Sequence, residues 1–364
     1  MKSFFRLFVR QILEPVLILV SLLMFSHIAL AQPGELSEII AVYETSSEPL
    51  DIDAAVTIYS EHCSIALTTN QPAMRYHVAS ISKLFTAIVI MQLRDEGSLS
   101  LNDHLGLYLP EFDDRDIRLH QLLTHTSGLN GRDRSKNRNT QKQVDEYVKS
   151  VSRQWTRKPG SRWRYADSNF NLLGRVIESI TEDTFSAVMS KRLLVPIGMT
   201  DSDFDISKIE VALRKTAFSK NGRREDHPWD LAFLPSAGLQ TTAQDLSKFA
   251  AAILSVYNGD GSSIISKASL AEMVEPRIDA DWDGISQAYG WQLASTSSGA
   301  QWRHAGGEDG FESLLSVYPE SGFGIVVLGN QEDWPRFELE RDIRERLAAT
   351  TDGSELRPCR SNQQ

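Results

Sequence analysis

The sequence predicts an α+β fold, an antiparallel β-sheet flanked by helices and interrupted by an inserted all-helical lobe. Two observations carry this. Short runs of apolar and β-branched character lie near both ends of the chain, at residues 54–60, 63–69, 288–294, 313–318 and 324–329, bounded by Gly, Pro or Ser in the C-terminal set. Between them, over roughly residues 98–230, the apolar periods are mostly helical. Composition agrees with a globular domain: 41% hydrophobic and 24% charged in 364 residues. The net charge of −10, with no basic stripe, argues against a nucleic-acid partner.

The N-terminus is a separate object. Lys2, Arg6 and Arg10 precede an apolar run at residues 16–25, and Ala29-Leu30-Ala31 then offers small residues to a signal peptidase. Residues 1–31 are therefore expected to be a secretory signal, the run being short for a membrane span. The long n-region and Glu14 leave an uncleaved anchor as the alternative. Cleavage would take the charge to −12 and deliver a soluble product to the periplasm or medium. Residues 32–350 are expected to be one domain, with the helical lobe at roughly 98–230 inserted, and 351–364 a tail. Export permits a disulfide between Cys63 and Cys359, which only geometry can license.

A short helix is expected over 38–45, then a hairpin with its break at Glu61-His62. Residues 80–95 repeat apolar positions at three and four (Leu84, Ala87, Ile88, Met91), and Gly97 ends the run. Leu172 to Thr181, Phe185 to Leu194 and Trp334 to Thr350 are the other clear helices.

Ser80-Ile81-Ser82-Lys83 stands at the start of the first of these helices. A serine three residues ahead of a lysine shares a helix face with it. The helix N-terminus also offers backbone N–H groups to an oxyanion. Ser80 is the only serine followed at the third position by lysine, and Lys83 leads into Leu84-Phe85-Thr86-Ala87-Ile88-Val89, which favours its burial. A lysine whose pKa is lowered by burial and nearby positive charge can take a serine proton. A helix-capping serine before a surface lysine has the same spelling.

Tyr165-Ala166-Asp167 follows the Pro159-Gly160 turn. A tyrosine beside a cationic lysine has its pKa lowered and can act as base, then acid; a packed core aromatic is the alternative. His304-Ala305-Gly306-Gly307 precedes the strand at 313. Its glycines would let backbone approach a ligand, and an N–H there can serve an oxyanion hole; a glycine-rich hairpin is the alternative. Trp155, Trp163, Trp229 and Trp302 either line a cleft or pack in the core.

In this order the three elements resemble the serine β-lactamase and penicillin-binding superfamily, in its class C β-lactamase, D-aminopeptidase and esterase-like branch. Residues 119–129 (LHQLLTHTSGL) and 235–246 (PSAGLQTTAQDL) resemble further segments of that family, and the likeness covers roughly 38–345. It implies a β-lactamase/transpeptidase-like fold, an acyl-enzyme on Ser80, and proton transfer by Lys83 and Tyr165. The N–H groups of Ser80 and Gly307 would form the oxyanion hole, with Asp167, His304 and Gly306 beside the substrate. No metal or cofactor is implied.

Two positions depart from the family pattern. His304 stands where many members have lysine, and Asp167 where asparagine is common. Both disfavour an anionic antibiotic and point to esters, small amides or peptides, with a β-lactamase, a D-alanyl peptidase or a silent binding homologue as alternatives. Protonation of His304 below about pH 6.5 would improve activity on anions. An α/β-hydrolase and a zinc protease are disfavoured, since neither G-x-S-x-G nor H-E-x-x-H occurs.

Overall fold

The computed structural model describes residues 33–44, 50–60, 63–68, 74–130, 137–219, 222–224, 230–260, 264–308 and 310–350. The leader, Trp229, Cys359 and the tail lie outside the described residues.

Helix α1 (Pro33–Glu44) comes first, then strands β1 (Ile52–Ser60), β2 (Cys63–Thr68) and β3 (Tyr76–His77) and helix α2 (Ser82–Asp95). Helices α3 (Leu119–Leu123), α4 (Gln141–Ser152), α5 (Asp167–Thr181) and α6 (Phe185–Met189) follow, the last continuing as a π-helical turn, Ser190–Leu194. After β4 (Ala217–Ser219) and β5 (Gly222–Arg224) come α7 (Leu234–Ala237), β6 (Gln240–Thr241), α8 (Ala243–Asn258) and α9 (Lys267–Met273). The C-terminal part holds β7 (Ile278–Asp279), β8 (Ser286–Gln287), β9 (Gln292–Thr296), β10 (Gly299–Glu308), β11 (Phe311–Tyr318), β12 (Phe323–Gly329) and α10 (Arg336–Thr350).

Eight strands form one antiparallel sheet in the order β2-β1-β12-β11-β10-β9-β8-β7. Strand periodicity divides the side chains between two cores. Ile52, Ala54 and Val56 of β1 and Ile325 and Val327 of β12 face α1 and α10, whose Leu36, Ile40, Leu339, Ile343 and Leu347 cover them. Ala55, Leu315, Val317, Val326 and Leu328 face the larger core, built around α2 and α8. Within α2 every residue from Ser82 to Met91 is buried, so this helix runs through the interior between sheet and helical lobe. Among the described residues no helix is long and apolar enough to cross a membrane.

Where sequence and structure differ, the cause is local. Residues 98–219 hold several one-turn 3-10 helices besides α3–α6, and the β4–β5 hairpin is too short for alternation to reveal. The strand expected at 288–294 begins at Gln292, because Gly290 (φ 80°) breaks the chain.

One glycine sets how the lobe meets α7. A Cβ on Gly174 of α5 would lie 2.0 Å from Pro235 Cγ. We expect Gly174→Ala to destabilise the protein by about 1–3 kcal/mol through overpacking. The midpoint of urea denaturation checks this, and an unchanged midpoint would mean that α5 and α7 separate freely.

Candidate active site

Ser80 lies in a 3-10 turn, Ala79–Ile81, that leads directly into α2. Ala79 is held at φ 44°, a left-handed conformation costly for a residue with a Cβ. From Tyr76 to Met91 Ser80 alone is not buried. Ser82, the neighbouring hydroxyl, is fully buried: its Oγ donates to Ala79 O (2.6 Å) and accepts from Leu239 N–H (3.0 Å). Ser82 is thus a structural pin.

Lys83 is completely buried. Its Nζ donates to Ser80 Oγ at 3.0 Å, Asp167 Oδ1 at 2.7 Å and Ser236 O at 2.9 Å, so all three ammonium hydrogens are met. Burial pushes the ammonium down, the Asp167 carboxylate opposes this by charge and hydrogen bond, and Lys83 stands above the usual lysine value. The condition under which the lysine would take the serine proton as a free base, a lowered pKa, is therefore not met. Asp167 is its counter-ion rather than a group facing substrate alone.

Tyr165 sits two residues before α5, which starts at Asp167, five residues earlier than its apolar period suggested. Its ring centroid is 4.9 Å from Lys83 Nζ. Burial pushes its hydroxyl above the usual value, and Lys83 only partly opposes this. The expected lowering is corrected accordingly: at neutral pH Tyr165 keeps its proton.

Strand β10 closes the other side. β9 pairs only with residues 299–303, whereas β11 pairs with 302–308. Residues 304–308 thus present an edge free of β9, and β10 packs on the Ser80 turn. A Cβ on Gly306 would lie 2.2 Å from Val78 O and 2.5 Å from Ser313 Oγ, so this glycine permits the close approach. A Cβ on Gly307 would have the Glu312 side chain nearest to it, at 3.2 Å.

His304 is buried, 6.3 Å from Tyr165 between ring centroids. Its Nδ1 lies 2.7 Å from the carbonyl of Ala305. A carbonyl only accepts, so Nδ1 carries the proton and Nε2 a bare lone pair. That Nε2 is buried and has no hydrogen-bond partner among the described residues. Burial, then the charge of Lys83, holds the imidazole down at about 3. The expected gain in positive charge below pH 6.5 does not arise.

Of the tryptophans, Trp163 packs near the tyrosine (6.4 Å), but Trp302 is buried against Trp291, and Trp155 stacks with Arg115. Half-exposed Trp282, 5.7 Å from Tyr165 and 4.9 Å from Trp163, takes the place expected for them. Sequence reasoning also passed over Ser236 and His125, although both lie in the two segments that resemble the family.

A serine and a buried lysine one turn apart at a helix start, set against the open edge of an antiparallel sheet, form a serine-hydrolase arrangement. The family model described as Beta-lactamase matches residues 66–350. The chain belongs to that family. It is 29% identical over 263 residues to PbpX of Bacillus subtilis (strain 168), covering 71% of this chain and 62% of that protein. The chain thus spans under two thirds of that relative. The fold matches the octameric penicillin-binding protein homologue from Pyrococcus abyssi (TM-score 0.73, 23% identity, 87% of this chain and 77% of that one). It also matches a D-stereospecific amidohydrolase from Streptomyces sp. (TM-score 0.69, 22% identity, 88% and 98%).

Asp167→Asn leaves the buried ammonium without its counter-ion. We expect a loss of about 1–3 kcal/mol, below the range for a fully buried pair because Asp167 is partly exposed and screened. The sign with pH follows from Lys83 being held above its ordinary value. Its contribution is complete below the unfolded lysine pKa and fades only as pH climbs through the raised one. The deficit therefore persists between about pH 5 and pH 9. Urea denaturation across that range decides it, and an Asn variant as stable as the parent would contradict the ion pair.

Proposed function

We propose that the chain is an exported hydrolase that forms an acyl-enzyme on Ser80 and prefers esters or small amides to penicillins and cephalosporins. His304 carries this reading: it is a neutral imidazole at the position where many members of the family it resembles have a lysine. Asp167 adds negative charge close by. The D-stereospecific amidohydrolase among the similar folds supports the amide class. The positive n-region, apolar run and Ala29-Leu30-Ala31 support export.

Ser80 Oγ attacks the carbonyl carbon, and its proton passes to Lys83 Nζ, 3.0 Å away. Lys83 enters as a cation, so it releases one of its own protons to Asp167 Oδ1, 2.7 Å away, as it receives that of the serine. Tyr165 begins protonated and supplies the leaving alkoxide or amine with its proton. The N–H groups of Ser80 and Gly307 receive the oxyanion. Water then attacks the acyl carbonyl and gives its proton to the Tyr165 phenolate, while the proton held by Asp167 returns through Lys83 to Ser80 Oγ as the acyl group leaves.

An unpaired carboxylate in such a cleft costs on the order of several kcal/mol, which amounts to roughly a hundredfold or more in kcat/KM. We expect kcat/KM for p-nitrophenyl butyrate to exceed that for a penicillin by at least this factor. The ratio should stay flat between about pH 5 and pH 8, because His304 is neutral throughout. His304→Lys should narrow it. A fluorophosphonate and a fluorescent penicillin, applied side by side, give the qualitative form of the test. Equal kcat/KM values would replace this reading with a β-lactamase or D-alanyl peptidase. N-terminal sequencing of the exported product should begin near Gln32; a membrane-bound product retaining Met1 would mean an anchor.

A further inference from the structure

We propose that His125 is the positioning residue that aims the Tyr165 hydroxyl into the site. The inference rests on reading Tyr165 as proton donor to the leaving group.

His125 grips the backbone on both sides of the tyrosine. Its carbonyl accepts Arg164 N–H at 2.8 Å, and its Nδ1 accepts Ala166 N–H at 3.2 Å. The two N–H groups flank Tyr165 directly, one on each side, and both end on the same residue. With both groups tied to one residue, the Cα–Cβ direction of Tyr165 is fixed. The imidazole also lies against the tyrosine ring, 4.4 Å between centroids and tilted by 33°. Asn169, in the first turn of α5, adds its amide to Nδ1 at 3.1 Å and accepts the Ser127 hydroxyl at 2.5 Å. One residue therefore holds the backbone before the tyrosine, the backbone after it, the ring itself and the helix that follows.

Two features point past simple packing. His125 is held at φ 56°, a strained conformation that histidine tolerates better than most residues. Its Nδ1 accepts a backbone N–H, so the proton sits on Nε2, which is buried without a hydrogen-bond partner among the described residues. A residue present only to fill space would carry neither the strain nor an unpaired N–H. A neutral imidazole combines a flat face for stacking with an acceptor in the ring plane, which phenylalanine and asparagine each supply only in part.

The test compares kcat/KM for ethyl butyrate and p-nitrophenyl butyrate. Ethoxide needs a proton as it leaves; p-nitrophenolate does not. Tyr165→Phe should lower the ethyl ester by roughly a hundredfold more than the aryl ester. His125→Phe, which keeps the ring and loses the acceptor, should show the same selective loss at roughly tenfold or more. In the Tyr165→Phe background, His125→Phe should change the ethyl-to-aryl ratio by less than about threefold, because it acts through the missing hydroxyl. His125→Asn, which tolerates positive φ and restores an acceptor, should keep the ratio within about fivefold of the parent.

Equal loss on both esters in His125→Phe, or losses that multiply in the double variant, would overturn the inference. A folded His125→Asn protein with the parental Tm and the selectivity of Tyr165→Phe would overturn it too, and this arm stands even where His125→Phe fails to fold. A Tyr165→Phe protein with no leaving-group selectivity would remove the reading beneath the inference, a result distinct from the others.

Discussion

Taking an ammonium out of water costs several kcal/mol unless each of its hydrogens finds an acceptor and its charge a partner. Lys83 meets that condition inside the core. Its three acceptors come from three separate pieces of chain: the Ser80 turn, the first residue of α5 and the end of α7. Their convergence fixes where the helical lobe sits on the sheet domain. Gly174 admits Pro235 against α5, and Thr86 Oγ1 donates to the Pro235 carbonyl at 2.7 Å, so the Ser236 carbonyl arrives beside the lysine. Ser82 ties the same segment to the Ser80 turn.

The buried charge then governs its neighbours. Burial, and then the charge of Lys83, keep His125 and His304 uncharged, so both imidazoles stand as neutral groups with fixed tautomers. One directs its lone pair at the backbone around Tyr165, and the other has its lone pair buried without a hydrogen-bond partner among the described residues. A site built in this way contains one mobile-proton centre, Lys83 with Asp167, and one hydroxyl, Tyr165, that is protonated at rest and so has a proton to give. That division of labour suits acyl transfer to a neutral substrate.

The strands β11 and β12 and the central helix were legible because burial on two faces gives continuous apolar runs. β10 was not. Its Gln301 is buried yet bonds to Ser316 and Tyr318, and its His304 is buried yet polar, so the alternation is masked. Ser80, Lys83, Tyr165, Asp167, His304, Gly306 and Gly307 could be named from motif spacing. What spacing could not give was the pairing of Lys83 with a residue 84 positions away, and with it the direction of every shift in the site. Ser236 stayed hidden because it acts through its backbone carbonyl, which carries no signature in residue type, and His125 because its partners, Tyr165, Ala166 and Asn169, lie in a distant segment of the chain.

The protonation state of Lys83 is the central claim, and NMR reads it directly. In protein with ¹³C-labelled lysine, the Lys83 Cε signal, assigned by its loss in Lys83→Arg, should keep the shift of a charged ammonium up to about pH 9. In Asp167→Asn the same signal should titrate at lower pH than in the parent. A parental Lys83 that titrates near or below about pH 7 would contradict the account, because the lysine would then begin the reaction as a free base and Asp167 would have no part in moving its proton.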